Sequence, residues 1–269
     1  MSQWEERRTA ILLASIRDRK PLIHHITNLV TMNDSANITL AIGASPIMAH
    51  ALEEVEEMVN LAAALVLNIG TPDSGRIESM LRAGKRANER GIPIVLDPVG
   101  AGATSFRTRT ALRLLSELRI SVVRGNAAEM EALIGIASET YGVESLSVAD
   151  DFGAIARRVA RELDCVAALT GGSDFVTDGS RMARVDNGHP LLASITGSGC
   201  MSTSLVAAFL TVEADPWYAA TNALIVMGLA GELAALKANG PGTFRTLLFD
   251  AVAMLNEEAI VQCQKVNIR

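Results

Sequence analysis

Short apolar runs alternate along this chain with longer stretches in which apolar positions recur at helical spacing. The runs at 64–69, 92–96, 120–123 and 165–169 are almost continuously apolar and read as strands buried on both faces. Between them, segments 53–63, 74–90, 105–118, 127–134 and 150–163 place apolar residues three and four apart and read as amphipathic helices, with Glu53 and Glu54 at one helix start. Strands alternating with helices build a mainly parallel sheet with helices on both faces, so an α/β fold is predicted. A hairpin is expected over 174–185, turning at Asp178-Gly179, and three helices are expected after Gly197. No repeat, low-complexity tract or long linker interrupts the pattern, so residues 1–269 are expected to form a single domain.

One stretch, 217–236, is long and apolar enough to raise the question of a membrane span. Its Ala and Gly content, its Asn222 and Glu232, and its lack of flanking Lys/Arg clusters predict a buried or subunit-contacting helix instead. The first eight residues carry charge where a secretory peptide needs an apolar core, so a cytoplasmic protein is expected.

Composition narrows the partners. With 49% apolar residues in 269, the chain can fill a large core. A formal charge of −6 and 4% aromatic residues lack the basic footprint and stacking surface of a nucleic-acid binder. A small molecule is the expected partner, with no nucleic acid and no membrane. Cys165, Cys200 and Cys263 are odd in number and far apart, which indicates neither a disulfide framework nor a zinc site. Cys165 and Cys263 read as small packing residues, and the adjacent His24 and His25, lacking a third ligand at suitable spacing, read as structural.

The polar residues cluster at strand ends. The four runs close in Gly70-Thr71-Pro72-Asp73, Asp97-Pro98-Val99-Gly100-Ala101-Gly102, Arg124-Gly125-Asn126 and Thr170-Gly171-Gly172. Ligands of an open parallel sheet bind outside the carboxyl ends of its strands, so these four clusters should share one crevice. A fifth element belongs with them: Gly197-Ser198-Gly199-Cys200 opens an apolar helix. Glycines there let backbone N–H groups approach an anion, and a helix N-terminus adds about half a positive charge.

Phosphoryl transfer asks a protein for cations, backbone donors and Mg2+ around the moving group. Asp97 and Glu129 can hold Mg2+ directly or through water, Asn126 can orient them, Arg124 offers a donor fork, and Thr170 adds a hydroxyl. Each has a plainer alternative: Glu129 as a first-turn helix carboxylate, Asn126 as an N-cap, Arg124 in a surface ion pair, Asp97 as a cap or turn residue.

Five motifs together resemble the hydroxyethylthiazole kinase family of the ribokinase-like superfamily, nearly end to end. They are Ile26-Thr27-Asn28 followed by Asn33-Asp34, then 43–48, Asp97-Pro98-Val99-Gly100-Ala101, Arg124-Gly125-Asn126-Ala127-Ala128-Glu129, and Thr196-Gly197-Ser198-Gly199-Cys200. The resemblance implies a three-layer α/β/α fold, phosphorylation of the thiazole alcohol, and ATP as donor. It implies ATP contacts from Arg124, Thr170, Asp97 and Asn126, and a magnesium motif of Asn126 and Glu129 with Asp97 near the metal. Met48 and Gly197 would meet the thiazole, Asn28 and Gly70 would line its site, and the family's homotrimer places sites between subunits. Cys200 stands where sugar kinases of the superfamily carry an aspartate base; it is expected to receive or orient the proton, with Gly197, Ser198 and Gly199 expected as donors to the transferring group. Three alternatives stay open: another small-alcohol kinase acting on hydroxymethylpyrimidine or pyridoxal, a dehydratase of hydrated nicotinamide nucleotides, or a nucleotide-binding protein without turnover.

Overall fold

Alternating burial along the strands divides the core into two. The computed structural model describes residues 3–136 and 148–268. Its strands are β1 (Leu22–Ile26), β2 (Ser45–Ile47), β3 (Ala64–Asn68), β4 (Ile94–Asp97), β5 (Val122–Gly125), β6 (Val166–Leu169), β7 (Asp174–Thr177), β8 (Met182–Val185) and β9 (Val266–Ile268). They form one sheet in the order β2-β1-β3-β4-β5-β6-β7-β8-β9. The first six run parallel, and β7, β8 and β9 each pair antiparallel to the preceding neighbour.

Ala64 and Val66 of β3 point into one core and Leu65 and Leu67 into the other, as the two-residue period of a strand requires. The first core is covered by α1 (Gln3–Arg19), α2 (Met32–Ile42), α8 (Ser198–Leu210), α9 (Pro216–Ala235), α10 (Pro241–Met254) and α11 (Glu257–Cys263). The second lies under α3 (Val55–Leu61), α4 (Ser74–Arg90), α5 (Ser105–Glu117), α6 (Ala127–Leu133) and α7 (Val148–Leu163). This is the expected three-layer α/β/α arrangement.

The four expected strands and five expected helices are all present, and the hairpin turns where expected, with Gly179 at φ 91°. Four helices rather than three follow Gly197, because Asn256 caps a short additional one, α11, through the Ala259 N–H. The 217–236 stretch forms α9, and 78% of its most apolar window is buried inside the fold. Cys263 is exposed at the end of α11, so it is not the packing residue expected.

The strand order reverses between β1 and β3: β2 lies on one side of β1, and the chain then crosses back to continue on the other. Such a switch point opens a crevice at the strands' carboxyl ends. Asn28 follows β1 and Asn68 ends β3, so both stand at its mouth.

His24 and His25 of β1 are buried structural residues, as expected, with His24 Nε2 2.6 Å from the Ala49 carbonyl. Burial, then the neighbouring His24, pushes His25 down to about 3. Between a normal histidine pKa of about 6.5 and that value, the unfolded chain binds a proton that the folded chain refuses. The contribution is therefore full above about pH 6.5 and falls by about 1.4 kcal/mol per unit as pH drops. Urea midpoints measured from about pH 7 to about pH 5 should fall more steeply in the wild type than in His25→Leu.

Candidate functional site

Strand periodicity assembles the site. Val66, Val95, Val122 and Ala168 belong to the core beneath α8; two residues further along, on the same face, come Asn68, Asp97, Arg124 and Thr170. Each of these four strands thus turns from apolar to polar at its carboxyl end, on the sheet face that α8 and α9 cover.

Gly197 starts α8 with φ 90°, a conformation that favours glycine, and among the described residues no side chain caps this helix. A Cβ on Gly197 would lie 2.7 Å from Thr31 Cγ2, and one on Gly199 would lie 2.3 Å from Arg124 Nη1. The missing side chains let α2's first turn and the Arg124 guanidinium close in on the turn.

Asp97 is fully buried, and its register partner across the ladder is Asn68. Its Oδ2 accepts from Asn68 Nδ2 at 2.7 Å and from the Thr203 hydroxyl at 2.9 Å. Oδ1 faces Arg124 Nη1 at 3.7 Å, and among the described residues neither Oδ1 nor Arg124 Nε has a hydrogen-bond partner. Burial pushes the Asp97 carboxyl up to about 6, against the Arg124 charge, while Glu129 pushes in the same direction as burial. Arg124 also donates to the Thr170 hydroxyl, so it is no surface ion pair.

For Asn126 and Glu129 the plainer reading is realised. They form a reciprocal cap on α6: Asn126 Oδ1 accepts from the Glu129 N–H and Glu129 Oε2 from the Asn126 N–H, both at 2.9 Å. Glu129 Oε1 accepts from the Gly100 N–H, which ties α6 to the loop after β4. Both carboxylate oxygens are thereby oriented by backbone donors, and each keeps lone-pair capacity for water. A single inner carboxylate plus a second one through water, with phosphate oxygens completing the shell, fits Mg2+. The unpartnered Asp97 Oδ1 fits the first of these places and Glu129 the second.

Cys200, in the first turn of α8, is buried beside Asp97. Burial and then the Asp97 charge raise its thiol above the ordinary value, against hydrogen bonds from Thr31 and Asn68 and the charge of Arg124. Asn28 Nδ2 also reaches its sulfur, at 3.4 Å. Gly70 stands against Asn28, where a Cβ would lie 2.8 Å from the Asn28 Cβ. Met48 is not drawn into this cluster within one chain; it follows the edge strand β2, which β1 separates from β3.

A cleft of about 610 Å3 runs from Arg124, Asn126 and Thr170 past Ser198 and Gly199 to Asn187, His189, Met227 and Gly228. The last four were not foreseen, although a glycine in the apolar run of α9 was a signal: a Cβ on Gly228 would lie 2.6 Å from the Asn187 Cβ. Asn68 was also missed, though it is a polar residue inside a buried run. So was Arg107, whose guanidinium donates to the carbonyls of Ile69, Gly70 and Val99 and braces the loops after β3 and β4.

A mainly parallel sheet with a switch point, crowned by an uncapped glycine turn against buried Arg and Asp side chains, defines an α/β protein with an anion-binding crevice at its strand ends. Similarity narrows that class. The model of the hydroxyethylthiazole kinase family matches residues 13–258, and the chain belongs to that family. It is 55% identical over 255 residues to the hydroxyethylthiazole kinase of Roseiflexus sp. (strain RS-1), covering 95% of this chain and 94% of the relative. It is 53% identical over 251 residues to that of Desulfatibacillum aliphaticivorans, covering 93% and 94%. The solved hydroxyethylthiazole kinase of Pyrococcus horikoshii OT3 superposes with a TM-score of 0.91 at 45% identity, covering 97% of this chain and 99% of that one. Pyridoxal kinase from Staphylococcus aureus, 16% identical with a TM-score of 0.60 over 79% of this chain and 88% of that one, shares the fold.

Proposed function

We propose that the protein transfers the γ-phosphoryl group of ATP to the hydroxyl of 4-methyl-5-(2-hydroxyethyl)thiazole, giving the thiazole phosphate used to make thiamine. The observation that carries this reading is the uncapped N-terminus of α8 facing Arg124 and the unpartnered Asp97 Oδ1.

Arg124, Thr170 and Asn126 receive the ATP phosphates along the cleft. Asp97 Oδ1 and Glu129 would hold Mg2+, which when bound would supply neutralisation of phosphate charge. The backbone donors at Gly197, Ser198 and Gly199 stabilise the charge on that group as it moves. Cys200 accepts or orients the proton leaving the alcohol, modest work in a largely dissociative transfer. Gly197, Asn28 and Gly70 line the thiazole. Met48, at the sheet edge, completes a neighbour's site in a homotrimer, and the exposed Leu29 and Val30 beside Asn28 are apolar surface for such a neighbour to cover. Three free cysteines suit a reducing cytoplasm.

Purified protein with ATP, Mg2+ and the thiazole should yield ADP and a product heavier by one phosphoryl group, read by mass spectrometry. Phosphorylation of hydroxymethylpyrimidine or pyridoxal in its place, dehydration of a nicotinamide nucleotide hydrate, or ATP binding without any product would overturn the assignment.

A further inference from the structure

Asn68 ends β3 fully enclosed, and its neighbours settle which way its amide points. The Gly70 backbone N–H, which can only donate, lies 2.9 Å from Oδ1. The Asp97 carboxylate, 2.7 Å from Nδ2, accepts. One Nδ2 proton therefore serves Asp97, and the other points at the Cys200 sulfur 3.2 Å away.

Asn28 is fixed by the same logic. Its Oδ1 accepts from the backbone N–H groups of Val30 at 3.0 Å and Thr31 at 2.9 Å. Its Nδ2 consequently faces Asn68 Oδ1 at 2.8 Å and the Cys200 sulfur at 3.4 Å. All four side-chain N–H bonds of the two amides are used, and the sulfur accepts two of them. The Thr31 hydroxyl donates to Asn28 Oδ1 as well, at 3.1 Å. Packing alone would be met by an apolar residue at position 68; a buried amide with every N–H committed sets geometry.

We propose that Asn68 is a positioning residue for the phosphoryl transfer: one N–H on Asp97 and one on Cys200 fix the carboxylate facing the phosphates relative to the sulfur facing the alcohol. The inference rests on the function proposed above. Asn68 acts through these two groups and touches neither substrate.

Asn68→Leu tests it, because that change keeps the shape and removes both donors without placing a second acid beside Asp97. It should lower kcat about a hundredfold, the effect of two lost buried hydrogen bonds, with KM for ATP and thiazole changed less than about threefold. In a Cys200→Ala background, where one of the two partners is gone, the same change should cost about tenfold or less. An unchanged kcat, or the same factor in both backgrounds, overturns the proposal. Should Asn68→Leu not fold, Asn68→Ser and an infrared measurement decide. In protein carrying Cys165→Ala and Cys263→Ser, the single remaining S–H stretching band shifts on Asn68→Ser if the amide holds the sulfur, and stays in place if it does not. Wild-type protein that makes no thiazole phosphate would sink the proposed function, and the band would still report whether Asn68 grips Cys200.

Discussion

Asp97→Asn should lower kcat by about a thousandfold, the upper range for removing one preorganised electrostatic contact from a reacting centre. The substitution keeps the side chain's size and leaves a carbonyl oxygen for the Asn68 amide and the Thr203 hydroxyl, so packing around β4 is preserved. What changes is the Oδ1 position, where an amide N–H2 would meet the Arg124 guanidinium and the metal and phosphates proposed to lie there. KM for the thiazole should stay within about twofold, because the proposed alcohol site lies on the Cys200 side. Part of the lost rate should return at high Mg2+, since a weakened ligand set is refilled by mass action.

Stability should move the other way. Burial pushes the Asp97 carboxyl up to about 6, above an unfolded value of about 3.9. A carboxyl raised on folding favours the folded state at low pH and opposes it increasingly as pH rises through the folded pKa. Removing the charge should therefore raise stability by about 2 kcal/mol near neutrality, read as a higher Tm. A more stable and nearly inactive variant is what a strained, functional charge predicts. Normal kcat in a folded variant would remove Asp97 from the mechanism, and a lowered Tm would mean that the carboxylate serves the fold.

The parts of the fold that were legible in the sequence are those in which one periodicity dominates. The runs that became β3 to β6 are nearly all apolar because both faces are buried, and 74–90 carries a helical stripe between an Asp73 cap and a Gly91 stop. The first fifty residues hid their elements for identifiable reasons. β1 is Leu-Ile-His-His-Ile, with two buried histidines breaking the apolar run, and β2 is three residues long and contains Pro46. β9 joins the sheet only through a tertiary pairing with β8.

The site divides along the same line. Asp97, Arg124, Thr170 and the 197–200 turn announced themselves as polar or glycine residues at the ends of apolar runs, and the structure brings them together. Asn68 lay inside its run and gave no end signal; its meaning comes from a neighbour across the ladder, Asp97, 29 residues away. The cleft wall at 187–193 and 227–228 likewise depends on how α9 packs, which no local pattern encodes.

Gly199→Ala should raise KM for ATP about tenfold and lower kcat/KM about a hundredfold, while leaving the protein folded. At this helical position a Cβ would fall 2.3 Å from Arg124 Nη1 and 2.8 Å from Nη2. The obstructed atoms are the far end of a flexible side chain, so the guanidinium swings aside and the backbone stays put. Moving it breaks the bond to the Thr170 hydroxyl and takes the fork away from Asp97 and from the phosphates proposed to sit beside it. A charge-assisted contact of this kind contributes about 1.5–3 kcal/mol, which is the source of the expected factor. The added methyl also removes backbone freedom from the unfolded chain, so Tm should hold or rise slightly. Arg124→Leu supplies the comparison: if Gly199 matters only by leaving room for that guanidinium, combining the two substitutions should cost little more than Arg124→Leu alone. Independent, multiplying losses would show instead that the Gly199 backbone itself contacts the phosphoryl group and that the methyl blocks that approach.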